Sequence, residues 1–125
     1  MRSSIFLCFL LSLAACQSEA QSKLEPGAFE QALQKDQSAQ LIDVRTPEEY
    51  RSGHIAGAVN INYYDSDFAQ KIEKLDKNRP VMVYCAVGGR SGKAAAQFKQ
   101  LGFGKVTDLS GGIKAWQAAG KPLAQ

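Results

Sequence analysis

Cys85 stands at the end of the most apolar and β-branched stretch of the chain, Pro80-Val81-Met82-Val83-Tyr84, and Ala86-Val87-Gly88-Gly89-Arg90-Ser91 follows it. Two consecutive glycines allow left-handed backbone values that other residues resist. Such a turn can aim successive N–H groups at one point and form an anion-holding nest. A helix expected from about Ser91 to Leu101 adds its positive end. A thiol facing that nest has its thiolate stabilised and can act as a nucleophile. Arg90 brings a permanent charge able to fork onto an anionic oxygen. The spacing therefore predicts a nucleophile, Cys85, beside a cradle for a small anion built from Ala86, Val87, Gly88, Gly89, Arg90 and Ser91. The plain alternative is an inert buried cysteine before a tight turn, but packing alone asks for neither the Gly-Gly pair nor Arg-Ser. A nucleotide-binding loop does not fit, because that motif needs Gly at position 87 and Ser or Thr at position 94, where Val87 and Ala94 stand.

The elements that must position this loop alternate. Phe29, Ala32 and Leu33 fall at i, i+3, i+4 behind Pro26 and predict a short helix, and Gln40 to Val44 reads as a strand. Thr46-Pro47-Glu48-Glu49 predicts a helix start with a capping box and proline at its first position. Ala58 to Ile61 reads as a second strand, and Phe68, Ile72 and Leu75 mark a helix. Val81 to Tyr84 fits a strand buried on both faces. The helix after Cys85 turns Ala94, Ala95, Phe98 and Leu101 inward and stops at Gly102. Lys105 to Leu109 gives another strand, Gly111-Gly112 a turn, and Ile113 to Ala119 a last helix carrying Trp116. This alternation predicts one α/β domain with a mostly parallel sheet of about five short strands and helices on both faces.

The N-terminus carries a different message. Arg2 and the apolar run Ile5 to Ala15 read as an export signal, since the run is about half the roughly 20 residues needed to span a bilayer. Leu13-Ala14-Ala15-Cys16 resembles the lipobox of bacterial lipoproteins, in which the cysteine is lipidated and becomes the mature N-terminus. The expected organisation is a signal over 1–15, a lipidated tether over 16–22 and the domain over 23–125. Gln17 after the cysteine resembles the outer-membrane sorting pattern, giving a periplasmic, membrane-anchored protein. A cut after Ala20 would instead release a soluble periplasmic one. Cys8 leaves with the signal and Cys16 becomes a thioether, so Cys85 is left as the only thiol. The chain has 15 Lys plus Arg and 12 Asp plus Glu, for a formal charge of +3. That excess is spread out, with no basic run interleaved with aromatics to suggest nucleic acid.

Several motifs in order resemble a single-domain rhodanese, a sulfurtransferase. Leu41-Ile42-Asp43-Val44-Arg45 with Pro47-Glu48-Glu49-Tyr50 resembles the family's first signature, and Gly53-His54-Ile55-Ala56-Gly57-Ala58-Val59-Asn60 its second. Cys85 to Ser91 resembles the active-site loop. Gly102-Phe103, Val106, Leu109, Gly111-Gly112-Ile113, Trp116, Gly120 and Pro122 follow its closing pattern. The resemblance implies two-step covalent catalysis. Cys85 takes the outer sulfur of a small anionic donor such as thiosulfate or a persulfide, becomes a persulfide, and passes the sulfur to cyanide, a thiol or a protein acceptor. It implies no metal or organic cofactor. Asp43 and Arg45 are expected to form an ion pair bracing the loop, His54 to be structural rather than a base, and Trp116 to pack in the core. Tyr63 and Tyr64 are open between lining the pocket mouth and helix packing. Ala86 and Val87 depart from thiosulfate-cleaving members that carry basic side chains inside the loop, which favours a persulfide donor or protein acceptor. Two other functions compete: a non-catalytic persulfide carrier, and a cysteine-loop phosphatase or arsenate reductase. The latter place five residues between Cys and Arg, whereas four separate Cys85 from Arg90.

Overall fold

A computed structural model describes residues 22–125. Cys8, Cys16 and the expected signal lie outside the described residues. Five strands, β1 (Ser22–Leu24), β2 (Gln40–Asp43), β3 (Val59–Asn60), β4 (Val81–Tyr84) and β5 (Val106–Leu109), form one sheet in the order β1-β5-β4-β2-β3. Every pairing is parallel, with Leu41 opposite Met82 and Val83 opposite Asp108. Four helices connect them, α1 (Pro26–Lys35), α2 (Pro47–Arg51), α3 (Phe68–Glu73) and α4 (Gly89–Gln100), and α5 (Gly112–Ala118) follows β5.

The side-chain alternation of a strand explains why β4 lies in the middle. Val81 and Val83 face one core with Ile42, Val44, Phe68, Ile72, Ala94, Ala95 and Phe98. Met82 and Tyr84 face the other with Phe29, Leu41, Leu109, Ile113 and Trp116. All four residues of β4 are buried, as a strand covered on both faces requires. Cys85 continues the alternation onto the Val81 and Val83 side.

The α/β architecture follows the sequence pattern, with three differences. Strand β1 is new: Ser22–Leu24 runs along Thr107–Leu109, so the sheet begins one residue before position 23. Strand β3 shrinks to two residues, although the chain beyond it stays tied by Ile61 N–H to Asp43 O and Tyr63 N–H to Val44 O. Helix α4 begins at Gly89, two residues earlier than its apolar spacing shows. Among the described residues no helix is long and apolar enough to cross a membrane.

Candidate active site

Parallel strands all end on one side of the sheet, and Cys85 follows the central one directly. The turn after it is made by Gly88 alone, at φ 118° and ψ −14°. Gly89 already belongs to α4 and does not take a positive φ. The expectation of two left-handed glycines thus gives way to one, and the loop proper is Ala86-Val87-Gly88. Its main-chain N–H at Gly88 donates to Cys85 Sγ at 3.0 Å. The first helical bond of α4 runs from Gly92 N–H to Gly88 O at 3.0 Å, which leaves the amides of Gly89, Arg90 and Ser91 ahead of any helical acceptor. The start of α4 thus follows directly on the Gly88 amide that meets the sulfur.

The loop is gripped from behind by α5. Ile113 N–H donates to Cys85 O at 2.9 Å and Lys114 N–H to Ala86 O at 3.2 Å. This approach is possible only because position 112 has no side chain. A Cβ on Gly112 would collide with the carbonyls of Ala86 and Cys85, the Cys85 oxygen lying 2.6 Å away, and the residue sits at φ +64°. Gly111-Gly112 is more than a turn; it lets one helix hold the loop that another helix starts.

Arg90 uses its fork inside the protein. Its two terminal nitrogens donate to the two carboxylate oxygens of Glu49 at 2.7 and 3.0 Å. The face of its guanidinium lies 5.5 Å from the Tyr64 ring centroid. Glu49 is also the acceptor of the capping box anticipated in α2, taking Thr46 N–H and Thr46 O–H at 3.1 Å each. Hydrogen bonding from Arg90, aided by Thr46, outweighs partial burial and holds the Glu49 carboxyl down at about 2. Ser91 is fully buried and its hydroxyl faces Gly88 O at 3.3 Å. Cys85 is 1% exposed, whereas Val87, two residues on, and Tyr64, which lies against Arg90, are exposed. Only a slim terminal atom can reach such a sulfur without movement of the loop.

The remaining singled-out residues form a brace behind β2 and β4. Arg45 donates to both Asp43 oxygens, the shortest contact being 2.7 Å, and to Gly53 O at 2.7 Å. Both side chains are buried, and the Arg45 guanidinium also lies over the Tyr84 ring at 5.7 Å. His54 Nδ1 carries a proton donated to Tyr50 O at 2.9 Å, and its ring stacks on Tyr50 with centroids 3.8 Å apart. Its main chain forms an antiparallel bridge to Ala124. Trp116 packs edge-on against Phe29 and donates to Pro122 O. Among the described residues no cluster of His, Cys, Asp and Glu is arranged to hold a metal ion.

Asp108 carries no signal in the sequence, yet it is the unusual buried group beside the loop. It is 1% exposed at the end of β5, and neither carboxylate oxygen has a hydrogen-bond partner. Its register neighbours are Lys23 and Val83, and Gly92 in the first turn of α4 packs over Oδ2. Burial pushes its carboxyl up, against the weaker pulls of Ser91 and Lys23. A carboxyl raised on folding destabilises the native state above its unfolded value, increasingly until the folded value is passed. Asp108→Asn is therefore expected to melt higher relative to wild type at pH 8 than at pH 4, the difference between the two being about 3 °C. Thermal unfolding followed by circular dichroism at the two pH values checks this.

Comparison with known proteins adds independent observations. A family model described as a rhodanese-like domain matches residues 25–119. A sulfurtransferase of Allochromatium vinosum is 32% identical over 102 residues, covering 82% of this chain and 94% of that protein. The thiosulfate sulfurtransferase GlpE of Pseudomonas paraeruginosa is 41% identical over 93 residues, 73% of this chain and 82% of its own. A solved rhodanese-related protein from Thermoplasma volcanium superposes with a TM-score of 0.73 at 29% identity, covering 82% of this chain and 97% of that one. The polysulfide-sulfur transferase of Wolinella succinogenes gives 0.70 at 26% identity, over 83% of this chain and 78% of its own.

Proposed function

We propose, since the chain belongs to the rhodanese-like domain family, that it is a sulfurtransferase working through a persulfide on Cys85. The observation that carries the reading is the Gly88 amide on Cys85 Sγ at 3.0 Å, at the mouth of β4 and the start of α4. In the first step the Cys85 thiolate attacks the outer sulfur of a donor. A new Sγ–S bond forms, the donor's S–S bond breaks, and the leaving group departs with the electron pair. The amides of Ala86, Val87, Gly88, Gly89, Arg90 and Ser91 supply the field that holds the negative charge. In the second step a thiol or cyanide attacks the outer sulfur of the Cys85 persulfide and restores the thiolate.

No proton need be moved by a side-chain base, so His54 is free to serve the scaffold through Tyr50 and Ala124. Asp43 and Arg45 likewise serve the scaffold, their ion pair reaching the Gly53 carbonyl. The reaction calls for no metal or organic cofactor. Relatives bear names for both thiosulfate and polysulfide transfer, and either class of donor suits two-step exchange at one sulfur. The near-complete burial of Cys85 favours a second reading, a persulfide carrier that loads once and unloads to a protein acceptor. Transfer from thiosulfate and from an organic persulfide to cyanide, measured beside intact mass, separates the two. Repeated turnover supports the enzyme, and a stable gain of one sulfur atom without turnover supports the carrier.

The same proposal includes a place of work. Export and lipid attachment at Cys16 would hold the domain at the periplasmic face of a membrane, outer rather than inner on the strength of Gln17. Cys16→Ser is expected to leave the protein out of the detergent-soluble membrane fraction and unlabelled by a fatty-acid probe. Persisting label in that variant sinks the anchor.

A further inference from the structure

We propose that Glu49 is a specificity-determining residue that turns the site toward organic persulfides of low charge and away from the thiosulfate dianion. The inference rests on the sulfur-transfer reading and deepens it. Arg90 is the one cation within the segment from Cys85 to Ser91, and its end-on fork is already occupied. Glu49 fills its fork at 2.7 and 3.0 Å, and Tyr64 lies over its face. An incoming oxyanion meets a neutral pair rather than a free charge.

The pair cannot open cheaply, because Glu49 is fixed from its other side. Thr46 donates to the same Oε1 through both its main-chain N–H and its hydroxyl, and Glu49 N–H in turn donates to Thr46 Oγ1 at 3.3 Å. Releasing Arg90 would leave its fork unmade and would put the carboxylate beside the donor. The charge of Glu49 and its fork to Arg90 thus keep that cation from serving a ligand, with the cap only steadying the carboxylate. The side chains of Arg90 and Glu49 are 17% and 35% exposed, so solvent screens the pair only in part.

The charge count then separates donor classes. Thiosulfate brings two negative charges to a thiolate, and the products, a Cys85 persulfide anion and sulfite, carry the same three. The amides and the α4 end must hold all of that charge. A hydropersulfide brings one as RS–S⁻ and none in the protonated form RS–SH that reacts: the thiolate attacks its outer sulfur, the RS–S bond breaks, Cys85–S–SH forms, and RS⁻ leaves to take a proton from solvent. One negative charge is conserved throughout. Exposed Val87 and Tyr64 offer apolar surface to the R group.

The test is the ratio of kcat/KM for thiosulfate to kcat/KM for an alkyl hydropersulfide with no charge on its alkyl group, with cyanide as acceptor. Glu49→Gln keeps the cap acceptor and removes the charge, and should raise that ratio about tenfold, chiefly through a lower thiosulfate KM. Thr46→Ala removes only the hydroxyl, leaving the Thr46 main-chain N–H on Oε1, the Glu49 charge and the fork to Arg90 in place, and should leave the ratio within about twofold. An unchanged ratio in a folded Glu49→Gln protein overturns the proposal, as does an equal rise in Thr46→Ala, which would mean loosening rather than charge. Should Glu49→Gln fail to fold, the wild type decides by salt. A neutral pair predicts a thiosulfate KM that changes less than about twofold between 20 and 300 mM salt, and a severalfold rise would reveal a free cation and end the proposal. If the wild type transfers sulfur from neither donor, it is the sulfur-transfer reading that fails.

Discussion

Cys85→Ala is expected to remove sulfur transfer by at least about a thousandfold and to abolish the persulfide, with little change in fold. The proposed mechanism forms its covalent intermediate on this one atom, and among the described residues Cys85 is the only free cysteine. Nothing nearby can substitute for the sulfur. Cys85→Ser should fail equally, because the hydroxyl keeps the Gly88 hydrogen bond but cannot carry a sulfane sulfur at neutral pH. Steady-state transfer with intact mass after donor treatment reads both variants. Residual turnover in Cys85→Ala above a tenth of wild type would show that the chemistry lies elsewhere. Melting temperature should hold within a few degrees, since alanine removes only a small buried side chain.

Gly112→Ala is expected to cost transfer by about a hundredfold or more and to destabilise the fold by about 2 kcal/mol or more. Two effects add. The residue stands at φ +64°, where a side chain is strained whatever the space around it. Its new methyl would also press on the carbonyls of Cys85 and Ala86, which are main-chain atoms without freedom to rotate away. Relief requires α5 and the loop to part, which lengthens the bonds from Ile113 N–H and Lys114 N–H. The Gly88 amide would then drift from Sγ, and the loss should appear in kcat more than in KM. Gly102→Ala provides the contrast. It too has a positive φ, 95°, but a Cβ there meets nothing within 4 Å, so it should destabilise without a specific loss of transfer. Equal kinetic losses in both would dismiss the clamp.

How far the chain could be read before its fold was seen depended on the range of each signal. The Thr46–Glu49 capping box and Pro47 are complete within four residues, and the structure holds them as expected. The buried run of β4 and the inward Ala94, Ala95 and Phe98 of α4 were equally legible, because burial imposes a period on the sequence itself. Position, too, followed: a thiol after a central parallel strand must stand at the ligand-bearing edge. What escaped was set by distance along the chain. Strand β1 is three residues of Ser-Lys-Leu with no alternation to betray it, held by main-chain pairing to β5. Glu49 advertised its cap but not its partnership with Arg90, 41 residues on. Arg90 looked free for a ligand for the same reason. Gly112 showed the flexibility of a turn, while its need for closeness depends on Cys85 and Ala86, which only the packed sheet brings beneath it. Asp108 gave no hint, since an aspartate near a strand end is ordinary until burial removes its partners.

The pairing of β1 with β5 bears on timing. The first strand described finds its only neighbour in the last, and Ser22 meets the hydroxyl of Thr107 across 85 positions. The His54–Ala124 bridge asks for residues beyond α5 as well. A polypeptide emerging from its N-terminus therefore cannot close this sheet partway through; both seams wait for the final stretch. Contacts so distant in sequence slow folding and leave an incomplete chain open. The order of strands thus acts as a delay, holding the sheet open until β5 has been made.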